Sequence, residues 1–420
     1  MYENGKLFSS EDMKRVRDSF YYVNVDATGE SRLYFDNAGG AYRLKKAEEK
    51  FREIDMIPDC SERKHRMARF LQDIEEAGKN DIRMIFNVKG GSVVTALTAS
   101  QAMFNIVGAV AEAIPGTNIV TSVLEHPSAY DAAAFYAEKT GKELRVAKSN
   151  PKTGGVDPDE IVRLIDKDTC LLSVMYASNI SGAIFNIPEI VKKARAIKPD
   201  LYIIVDSVQH APHAVMDFSE LGIDAVTFAP YKFFGVRGLG AGWVSDRLAA
   251  LRHHKLAGKK PTEWELGSPA SAQYAMVTEI VNYVCSLSDI LGTRRECFVS
   301  GMTKIALHER ALLKAMLDGT EKNPGLRHMK NVHVFMDSED LTARDLILGI
   351  GFDNIGYSEA VREYEKRGVI VYERLISSLY SRRMLESFGL QGAIRVSPLH
   401  CNNIEDIDKF LKVTAEIAKL

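Results

Sequence analysis

The stretch DAVTFAPYKFFGVRGLGAGWV, residues 224–244, begins as an apolar β-strand and then places a lysine among apolar side chains. This lysine, Lys232, lies between Tyr231 and Phe233. Lysine is usually a solvated surface residue, because apolar surroundings penalise its charged form and lower its pKa. A lysine in such a position is therefore either an accident of the sequence or a nucleophile.

Around this stretch, apolar β-rich runs alternate with helical segments. Seven runs are candidate strands: SVVTALTA from residue 92, NIVTSVL from 118, ELRVAKS from 143, TCLLSVMYAS from 169, LYIIVDS from 201, AVTFAP from 225 and AGWVS from 241. Helix-like segments between them include SQAMFNIVGAVAEAI, AYDAAAFYAEKTG and IPEIVKKARAIK. The alternation predicts an α/β fold with a seven-stranded, mainly parallel sheet that binds ligands beyond the carboxyl ends of its strands.

A different pattern begins after about residue 290. A long helix around MTKIALHERALLKAML precedes the short strands VHVFM, GVIVYE and AIRVSP and the closing helix IEDIDKFLKVTAEIAKL. Because 420 residues exceed one ordinary core, we predict a large domain over residues 32–290 and a small α+β domain from residues 1–31 and 291–420. The basic stretch RHHKLAGKKPTEWELGSP, residues 252–269, is predicted to be an exposed loop at an active site or an interface.

Composition excludes several classes of partner. Hydrophobic residues make up 46% and charged residues 26% of the chain, and a net charge of −2 gives no reason to expect a nucleic-acid or membrane partner. No run predicts export or a membrane span, so we expect a cytoplasmic protein. The cysteines show neither metal-ligand nor redox spacing, so no metal site is predicted; they are Cys60, Cys170, Cys285, Cys297 and Cys401.

Asp206 and Lys232 are the two residues whose combination indicates chemistry. Asp206 ends the apolar strand LYIIV, so its carboxylate emerges at the ligand-binding edge of the sheet, although it is equally suited to cap a following helix. Lys232 follows the next strand and reaches the same edge, although a solvated lysine is the common alternative. A lysine that forms an imine and a carboxylate that holds a protonated pyridine nitrogen are the groups that pyridoxal phosphate requires.

Two further motifs suit this cofactor. In TASQAMFN a strand ends and a helix begins, so the free N–H groups and hydroxyls of residues 98–101 form a candidate phosphate cradle. Each of these residues is also explained by an ordinary capped helix start. His126, in VLEHPSAY, follows a strand and is a candidate to stack on the cofactor ring, with a half-buried structural histidine as the alternative.

The order of these motifs resembles the class V branch of fold-type I pyridoxal-phosphate enzymes, which contains cysteine desulfurases, selenocysteine lyases and isopenicillin N epimerase. The resemblance covers nearly the whole chain: YFDNAGGA is similar to the family's YLDNAA, TASQA stands at GATEA, and LEHPS stands at EHxx. It implies a homodimer with shared active sites that acts on an amino acid. It also implies that Ala38 contacts the substrate, that His126 stacks on the ring, and that the phosphate cradle comprises Thr98, Ala99, Ser100 and Gln101.

Two further motifs extend the resemblance through the middle of the chain. ASNISGAIFNIPEI looks like the family's SNxxGxxxPI, which implies that Asn179 lies near the cofactor's phenolic oxygen and the substrate carboxylate. VDSVQHAPH resembles VDxxQxxxH, which implies Asp206 on the pyridine nitrogen and Gln209 against the phenolic oxygen. The middle of the chain thus supplies three contacts to the expected cofactor.

Three motifs extend it toward the C-terminus. YKFFG stands where the family has HKxxGPxG, which makes Lys232 the Schiff-base lysine and places Tyr231 beside the cofactor. WELGSP is similar to xExGTP, a loop that reaches the partner subunit's phosphate and here carries Ser268. AIRVSPLHCNNIEDID looks like xRxSxxxYNTxEEID, which implies that Arg395 grips the substrate carboxylate with its bidentate fork.

The likeness is greatest to a cysteine-desulfurase-like subgroup that shares ASNxxG, APHxxxD and YKFFG. Three departures bear on function. Tyr231 replaces the usual histidine and Ala229 replaces a phosphate-binding serine, so the phosphate contacts must be partly redistributed. The segment VYERLISSLYSRRMLESFGLQGAIRVS also lacks the cysteine that desulfurases use to remove sulfur, and Cys401 is expected to be a small buried residue instead.

The expected activity follows from this set of residues. We expect Lys232 to remove the α-proton of an amino acid, Asp206 to keep the pyridine nitrogen protonated, and His126 to stack on the ring and shuttle a proton. Elimination at the β-carbon is favoured, as a carbon–sulfur or carbon–selenium lyase without a persulfide cysteine. A class V aminotransferase or an amino-acid epimerase is the alternative, and a non-catalytic protein that binds pyridoxal phosphate is the alternative of another class.

Overall fold

The computed structural model describes residues 3–420, and seven of its thirteen strands match the seven strands of the predicted sheet. The strands are β1 (Leu33–Tyr34), β2 (Ser92–Ala96), β3 (Asn118–Ser122), β4 (Glu143–Ala147), β5 (Thr169–Met175), β6 (Tyr202–Asp206), β7 (Ala225–Phe228), β8 (Gly240–Val244), β9 (Val332–Phe335), β10 (Leu348–Phe352), β11 (Val369–Ile370), β12 (Tyr372–Leu375) and β13 (Gly392–Val396). These seven, strands β2 to β8, form one seven-stranded sheet, in the order β2-β8-β7-β6-β5-β3-β4.

The structure contains the helical segments named from the sequence and further helices that were not named. The helices are α1 (Ser10–Asp18), α2 (Lys45–Asp55), α3 (Arg66–Phe86), α4 (Ala99–Ala113), α5 (Pro127–Lys139), α6 (Pro158–Val162), α7 (Ile187–Ile197), α8 (Asp246–Ala249), α9 (Ser271–Ser286), α10 (Arg294–Asp318), α11 (Tyr357–Lys366), α12 (Arg382–Ser387) and α13 (Ile404–Ile417). The segments named from the sequence form α4, α5, α7, α10 and α13. Within residues 3–420, no helix combines the length and apolar character that a bilayer crossing requires.

The large sheet is mainly parallel, as predicted. Strands β3, β5, β6 and β7 run in the same direction, whereas β8 is antiparallel to both of its neighbours. Every residue of β5 and of β6 is buried, because a central parallel strand is covered on both of its faces. The carboxyl ends of β3, β5, β6 and β7 therefore lie along one edge, where the sequence placed the candidate site residues.

The C-terminal part of the chain builds a second sheet, antiparallel, in the order β12-β13-β10-β9. Strand β10, with the sequence LGIGF, was not predicted, because two glycines weaken its β pattern. Strand β1 pairs with β11 of this region. The predicted division into residues 32–290 and a small domain stays a prediction.

The predicted loop over residues 252–269 contains neither helix nor strand. Most of its residues are exposed, but Trp264 and Glu265 are buried. The ring of Trp264 stacks on His253 with centroids 4.1 Å apart, and the Glu265 carboxylate lies 3.0 Å from Lys79 Nζ of α3. These contacts hold the loop together and against α3, and they leave its tip at the surface.

Candidate active site

The carboxyl edge of the parallel strands surrounds a cavity of about 350 Å³, here called the sheet-edge cavity. Nine of the residues selected from the sequence line it: Thr98, Ala99, Ser100, His126, Asn179, Asp206, Gln209, Tyr231 and Lys232. A second cavity of about 300 Å³ shares four of these residues and is lined also by Arg374 and Arg395, so we call it the arginine cavity. The shared residues make the two cavities neighbours.

Lys232 lies between the two cavities and is only 8% exposed. It ends a 3₁₀ turn over Pro230–Lys232 that follows directly on β7. Burial, and then the positive charge of Arg395, lower the pKa of Lys232 to about 7. A large fraction of the amine is therefore neutral at physiological pH, as a nucleophile or a general base requires.

Phe234, two residues after this turn, fixes the path of the backbone as it leaves the turn. Phe234 adopts a left-handed backbone conformation, with φ of 67°, which is unfavourable for a bulky side chain. Its ring is fully buried, with its centroid 5.5 Å from that of Phe20 and 4.8 Å from that of His400. This packing holds the strained backbone and thereby the exit of the chain from the lysine turn.

Asp206 ends β6 inside the sheet-edge cavity. One carboxylate oxygen accepts a hydrogen bond of 3.0 Å from the Val208 N–H, and residues 208–213 form turns, so the helix-cap interpretation of Asp206 is wrong. Burial raises the pKa of this carboxyl group. Asp206 forms no ion pair with any residue of 3–420. A cationic group in the cavity would therefore compensate the negative charge of its carboxylate.

His126 both caps a helix and lines the cavity, so its structural interpretation holds, and its stacking on a cofactor ring stays a prediction. Its Nδ1 accepts the backbone N–H of Ser128 at 3.2 Å at the start of α5, which leaves the ring proton on Nε2. Burial, followed by the charge of Lys232, lowers the pKa of His126 to about 3. The imidazole is therefore neutral at physiological pH.

The start of α4 supplies the candidate phosphate cradle. Thr98 is the N-cap, and its Oγ1 accepts the Gln101 N–H at 3.1 Å, so the capped-helix interpretation describes this oxygen correctly. Thr98, Ala99 and Ser100 line the sheet-edge cavity. Gln101 instead lines a separate cavity of about 480 Å³, because it points to another side of the helix.

Ser268 also lines this third cavity, at the surface of the single chain. Its Oγ donates a short hydrogen bond to the carboxylate of Glu62. The third cavity shares Leu97 and Leu239 with the sheet-edge cavity, so it adjoins that cavity. Within one chain, Gln101 and Ser268 thus lie beside the predicted phosphate cradle and not in it.

Arg395 lies on β13 in the arginine cavity and is almost fully buried. Its Nη2 donates to the Asp36 carboxylate at 2.6 Å, and its Nη1 donates to the Asn179 carbonyl at 3.3 Å. Its Nε and the Asn179 Oδ1 have no hydrogen-bond partner among the described residues. Unsatisfied buried polar atoms are costly, so a polar ligand in this cavity would stabilise them.

Two residues of the arginine cavity were not assigned from the sequence. Asp36 lies in the quoted motif YFDNAGGA and pairs with Arg395. Arg374, on β12, is buried, and burial followed by the charge of Arg395 lowers its pKa to about 10. An arginine at an inward position of the short strand VYERL was the available signal for Arg374.

Gln209 and Tyr231 connect the two cavities, and Arg237 lies beside Tyr231. Gln209 Nε2 donates to the Ala38 carbonyl at 3.1 Å, and Ala38 lines the arginine cavity. The side chain of Tyr231 lines both cavities. The guanidinium carbon of Arg237 lies over the Tyr231 ring, 4.5 Å from the ring centroid. Arg237 lines the sheet-edge cavity and was not assigned from the sequence.

All five cysteines lie outside these sites. None is among the described residues that line the sheet-edge or the arginine cavity. Cys401 is fully buried, as expected, and its Sγ lies 3.9 Å from His400 Nε2. Burial raises the pKa of this thiol well above its ordinary value, so it is a poor nucleophile.

Comparison with known proteins identifies the relatives of this chain. The family model described as Aminotransferase class-V matches residues 33–410. A "Probable cysteine desulfurase" of Xylella fastidiosa strain 9a5c is 23% identical over 440 residues, which cover 98% of this chain and 97% of that protein. The cysteine desulfurase IscS of Dictyoglomus turgidum is 30% identical over 179 residues, or 42% of this chain and 44% of its own.

Solved structures share the architecture. The cysteine desulfurase CsdA of Escherichia coli, in an S-sulfonic acid form, superposes with a TM-score of 0.81 at 18% identity over 99% of both chains. The apo cysteine desulfurase of Thermococcus onnurineus NA1 gives 0.80 at 19% identity, also over 99% of both chains. These likenesses confirm the predicted fold.

Proposed function

Because the chain belongs to the aminotransferase class-V family, whose members depend on pyridoxal phosphate, we propose that it is a cysteine desulfurase-like lyase. Its proposed substrate is an α-amino acid with sulfur or selenium on the β-carbon. The bound cofactor supplies an electron sink for the pair of electrons left when the α-proton is removed. The observation that carries the proposal is a buried lysine of near-neutral pKa in one cavity with an unpaired carboxylate.

The residues of the sheet-edge cavity fit this cofactor. Asp206 is a buried carboxylate without an ion-pair partner in the described chain, which suits a protonated ring nitrogen. The neutral imidazole of His126 suits stacking on a flat ring. The proposal assigns Asn179 and Gln209 to the phenolic oxygen, Tyr231 to the cofactor's surroundings, and Thr98, Ala99 and Ser100 to the phosphate.

Lys232 has two proposed roles. As a neutral amine it would hold the cofactor, and as a free base it would remove the α-proton of the bound substrate. Both roles require the unprotonated form, which burial makes accessible near pH 7. The position of Lys232 between the two cavities supports the proposal, because one amine then reaches both the cofactor and the substrate.

The arginine cavity is the proposed site of the substrate carboxylate. It contains two guanidinium groups, on Arg374 and Arg395, and one carboxylate, on Asp36. Their sum is one positive charge, which a single α-carboxylate neutralises. The unpaired Nε of Arg395 and the unpaired Oδ1 of Asn179 supply a donor for that carboxylate and an acceptor for the α-amino group.

Elimination is favoured over inversion of the α-carbon. Two-base inversion needs a second group that exchanges protons at physiological pH, and the lowered pKa of His126, about 3, disfavours it in that role and as the proton shuttle expected from the sequence. Elimination needs one base at the α-carbon, which Lys232 supplies. Because no cysteine of the described chain lines the two cavities, we propose that sulfur leaves as sulfide and not as an enzyme persulfide.

We propose further that the protein is a homodimer in which Ser268 completes the partner's cofactor site. Support comes from the exposed apolar side chains around the third cavity, because Leu97 is 70% exposed and Leu266 is 56% exposed. Light scattering tests the dimer. Mixing Lys232→Ala subunits with Ser268→Ala subunits tests the shared site, since a mixed dimer then contains one intact site and should gain activity over either parent.

The test of the reaction is a product analysis. The protein loaded with pyridoxal phosphate is incubated with L-cysteine or L-selenocysteine, and sulfide or selenide, pyruvate, ammonia and alanine are measured together with protein-bound persulfide. Elimination converts cysteine and water to pyruvate, ammonia and sulfide in equal amounts. Alanine with a protein persulfide would instead indicate a desulfurase, keto acid without sulfide an aminotransferase, and cofactor binding without turnover a non-catalytic protein.

A further inference from the structure

The loop after the lysine turn carries a second cation into the sheet-edge cavity. Among the described residues that line this cavity, Lys232 is the one lysine and Arg237 is the one arginine. Arg237 forms neither an ion pair nor a hydrogen bond within residues 3–420, and it packs on the ring of Tyr231. A guanidinium group keeps its charge throughout the physiological pH range, so Arg237 brings to the cavity a permanent positive charge that no ion pair compensates.

The backbone holds this loop against the start of α4. Gly238 has a φ of 90°, a conformation that favours glycine, and its carbonyl accepts a hydrogen bond of 3.4 Å from Gln273. A Cβ placed on Gly240 would lie 2.1 Å from the Ala99 nitrogen, so β8 and the first residue of α4 are in direct backbone contact. Arg237, which is exposed in the single chain, therefore directly precedes backbone that contacts the start of α4 and lines the same cavity as Thr98.

A neighbouring cation strengthens the need for an anion. The Arg43 guanidinium lies 5.9 Å from the centroid of the Tyr231 ring, and its Nη1 donates to the Tyr231 carbonyl at 2.7 Å. Burial, followed by the charge of Arg237, lowers the pKa of Arg43. Neither arginine is ion-paired within the described chain, so two like charges flank one aromatic ring and an anion would relieve their repulsion.

A phosphate monoester is such an anion, with nearly two negative charges at neutral pH. It binds at helix N-termini and in the fork of arginine. Ala229, which lines the same cavity, has no polar side-chain atom to offer it. Building on the proposed function, we infer that Arg237 is a phosphate-binding residue of the cofactor site and acts together with Thr98 and Ser100 at the start of α4.

The test compares two cofactors that differ only in the phosphate. Apoprotein of the wild type, Arg237→Gln and Arg237→Lys is titrated with pyridoxal phosphate and with pyridoxal, and binding is followed by the absorbance of the lysine-bound cofactor. Arg237→Gln should bind pyridoxal phosphate roughly 10- to 100-fold more weakly, whereas pyridoxal affinity should change less than about two-fold. Arg237→Lys, which keeps the charge but not the fork, should be intermediate. The matched control is Arg362→Gln, on an exposed part of α11.

A second readout uses inorganic phosphate, whose competition with pyridoxal phosphate should weaken in Arg237→Gln and stay unchanged in Arg362→Gln. Equal affinities of Arg237→Gln and the control for pyridoxal phosphate would overturn the inference. So would equal losses for pyridoxal and pyridoxal phosphate, because the effect would then not involve the phosphate. If the wild type binds neither compound, the proposed function itself fails.

Discussion

The two cavities that meet at Lys232 differ in how far their charges are paired. In the sheet-edge cavity, Asp206 and Arg237 have no ion-pair partner in the described chain. In the arginine cavity, Arg395 is already paired with Asp36 at 2.6 Å. A site that always holds a cofactor can contain charges that only the cofactor neutralises. A site that empties in every turnover must be stable without its ligand. The Arg395–Asp36 ion pair thus distinguishes the proposed substrate site, whose remaining arginine charge lies on Arg374, from the proposed cofactor site.

The largest effect is expected at the residue that both cavities share. Lys232→Ala removes the proposed attachment point and the base, so turnover should fall at least about 10⁴-fold. Borohydride reduction followed by peptide mass analysis should find the cofactor on Lys232 in the wild type and on no peptide of the variant. The control is Lys152→Ala, at an exposed turn. A cofactor-labelled peptide at another lysine in Lys232→Ala would show that the assignment is wrong.

A change confined to the arginine cavity should separate the two sites. Arg395→Lys keeps the charge but loses the fork, so substrate binding should weaken by about 2 to 4 kcal/mol, or roughly 30- to 1,000-fold. The affinity for pyridoxal phosphate and the absorbance of the bound cofactor should stay as in the wild type. Titration of each variant with substrate and with cofactor measures both quantities. Unchanged substrate affinity would remove Arg395 from the substrate site.

A smaller effect should appear in the pH dependence of cofactor attachment. The pKa of Lys232 is lowered to about 7, so the amine is protonated below that pH and cannot attack the cofactor's carbonyl group. The rate at which apoprotein takes up pyridoxal should therefore rise about ten-fold per pH unit below pH 7 and level off above it. Pyridoxal avoids the titration of the phosphate. A rate that keeps rising to pH 10 would indicate a lysine of ordinary pKa.

The smallest effect is expected at the cysteines, which lie outside both cavities. Serine at Cys60, Cys170, Cys285, Cys297 or Cys401 should leave turnover within about two-fold, although a buried hydroxyl at Cys170 or Cys401 should lower the free energy of unfolding by about 1 to 3 kcal/mol. Product assays and thermal unfolding measure the two quantities. If one of these variants lost activity but kept a normal cofactor spectrum, the result would show that this thiol takes part in catalysis. It would then support the desulfurase mechanism.

The sheet-edge cavity was the easier of the two to predict. Its residues follow buried strands such as β6 and β7, and continuous apolar runs identify such strands. Parallel strands then bring the residues that follow them to one edge without further information. Gln101 shows the limit of this reasoning, because the rotation between successive helix residues directs it to a different cavity.

The arginine cavity was harder to predict because its contacts are long-range. Asp36 and Arg395 are 359 residues apart in the sequence, and their pairing depends on the packing of β13 beside the loop after β1. Arg374 lies on a strand of only four residues, too short for a reliable alternation pattern. The resemblance located Arg395, but it did not reveal the ion pair that holds this arginine.

The strained Phe234 also bears on when the site forms during biosynthesis. Its ring is held by Phe20, near the start of the chain, and by His400, after which only 20 of the 420 residues remain. The nascent chain therefore completes the lysine and both flanking strands long before it contains all the contacts that hold the turn. We expect that a ribosome-bound chain ending before residue 400 cannot capture the cofactor, and that holoprotein forms only after synthesis of the C-terminal segment.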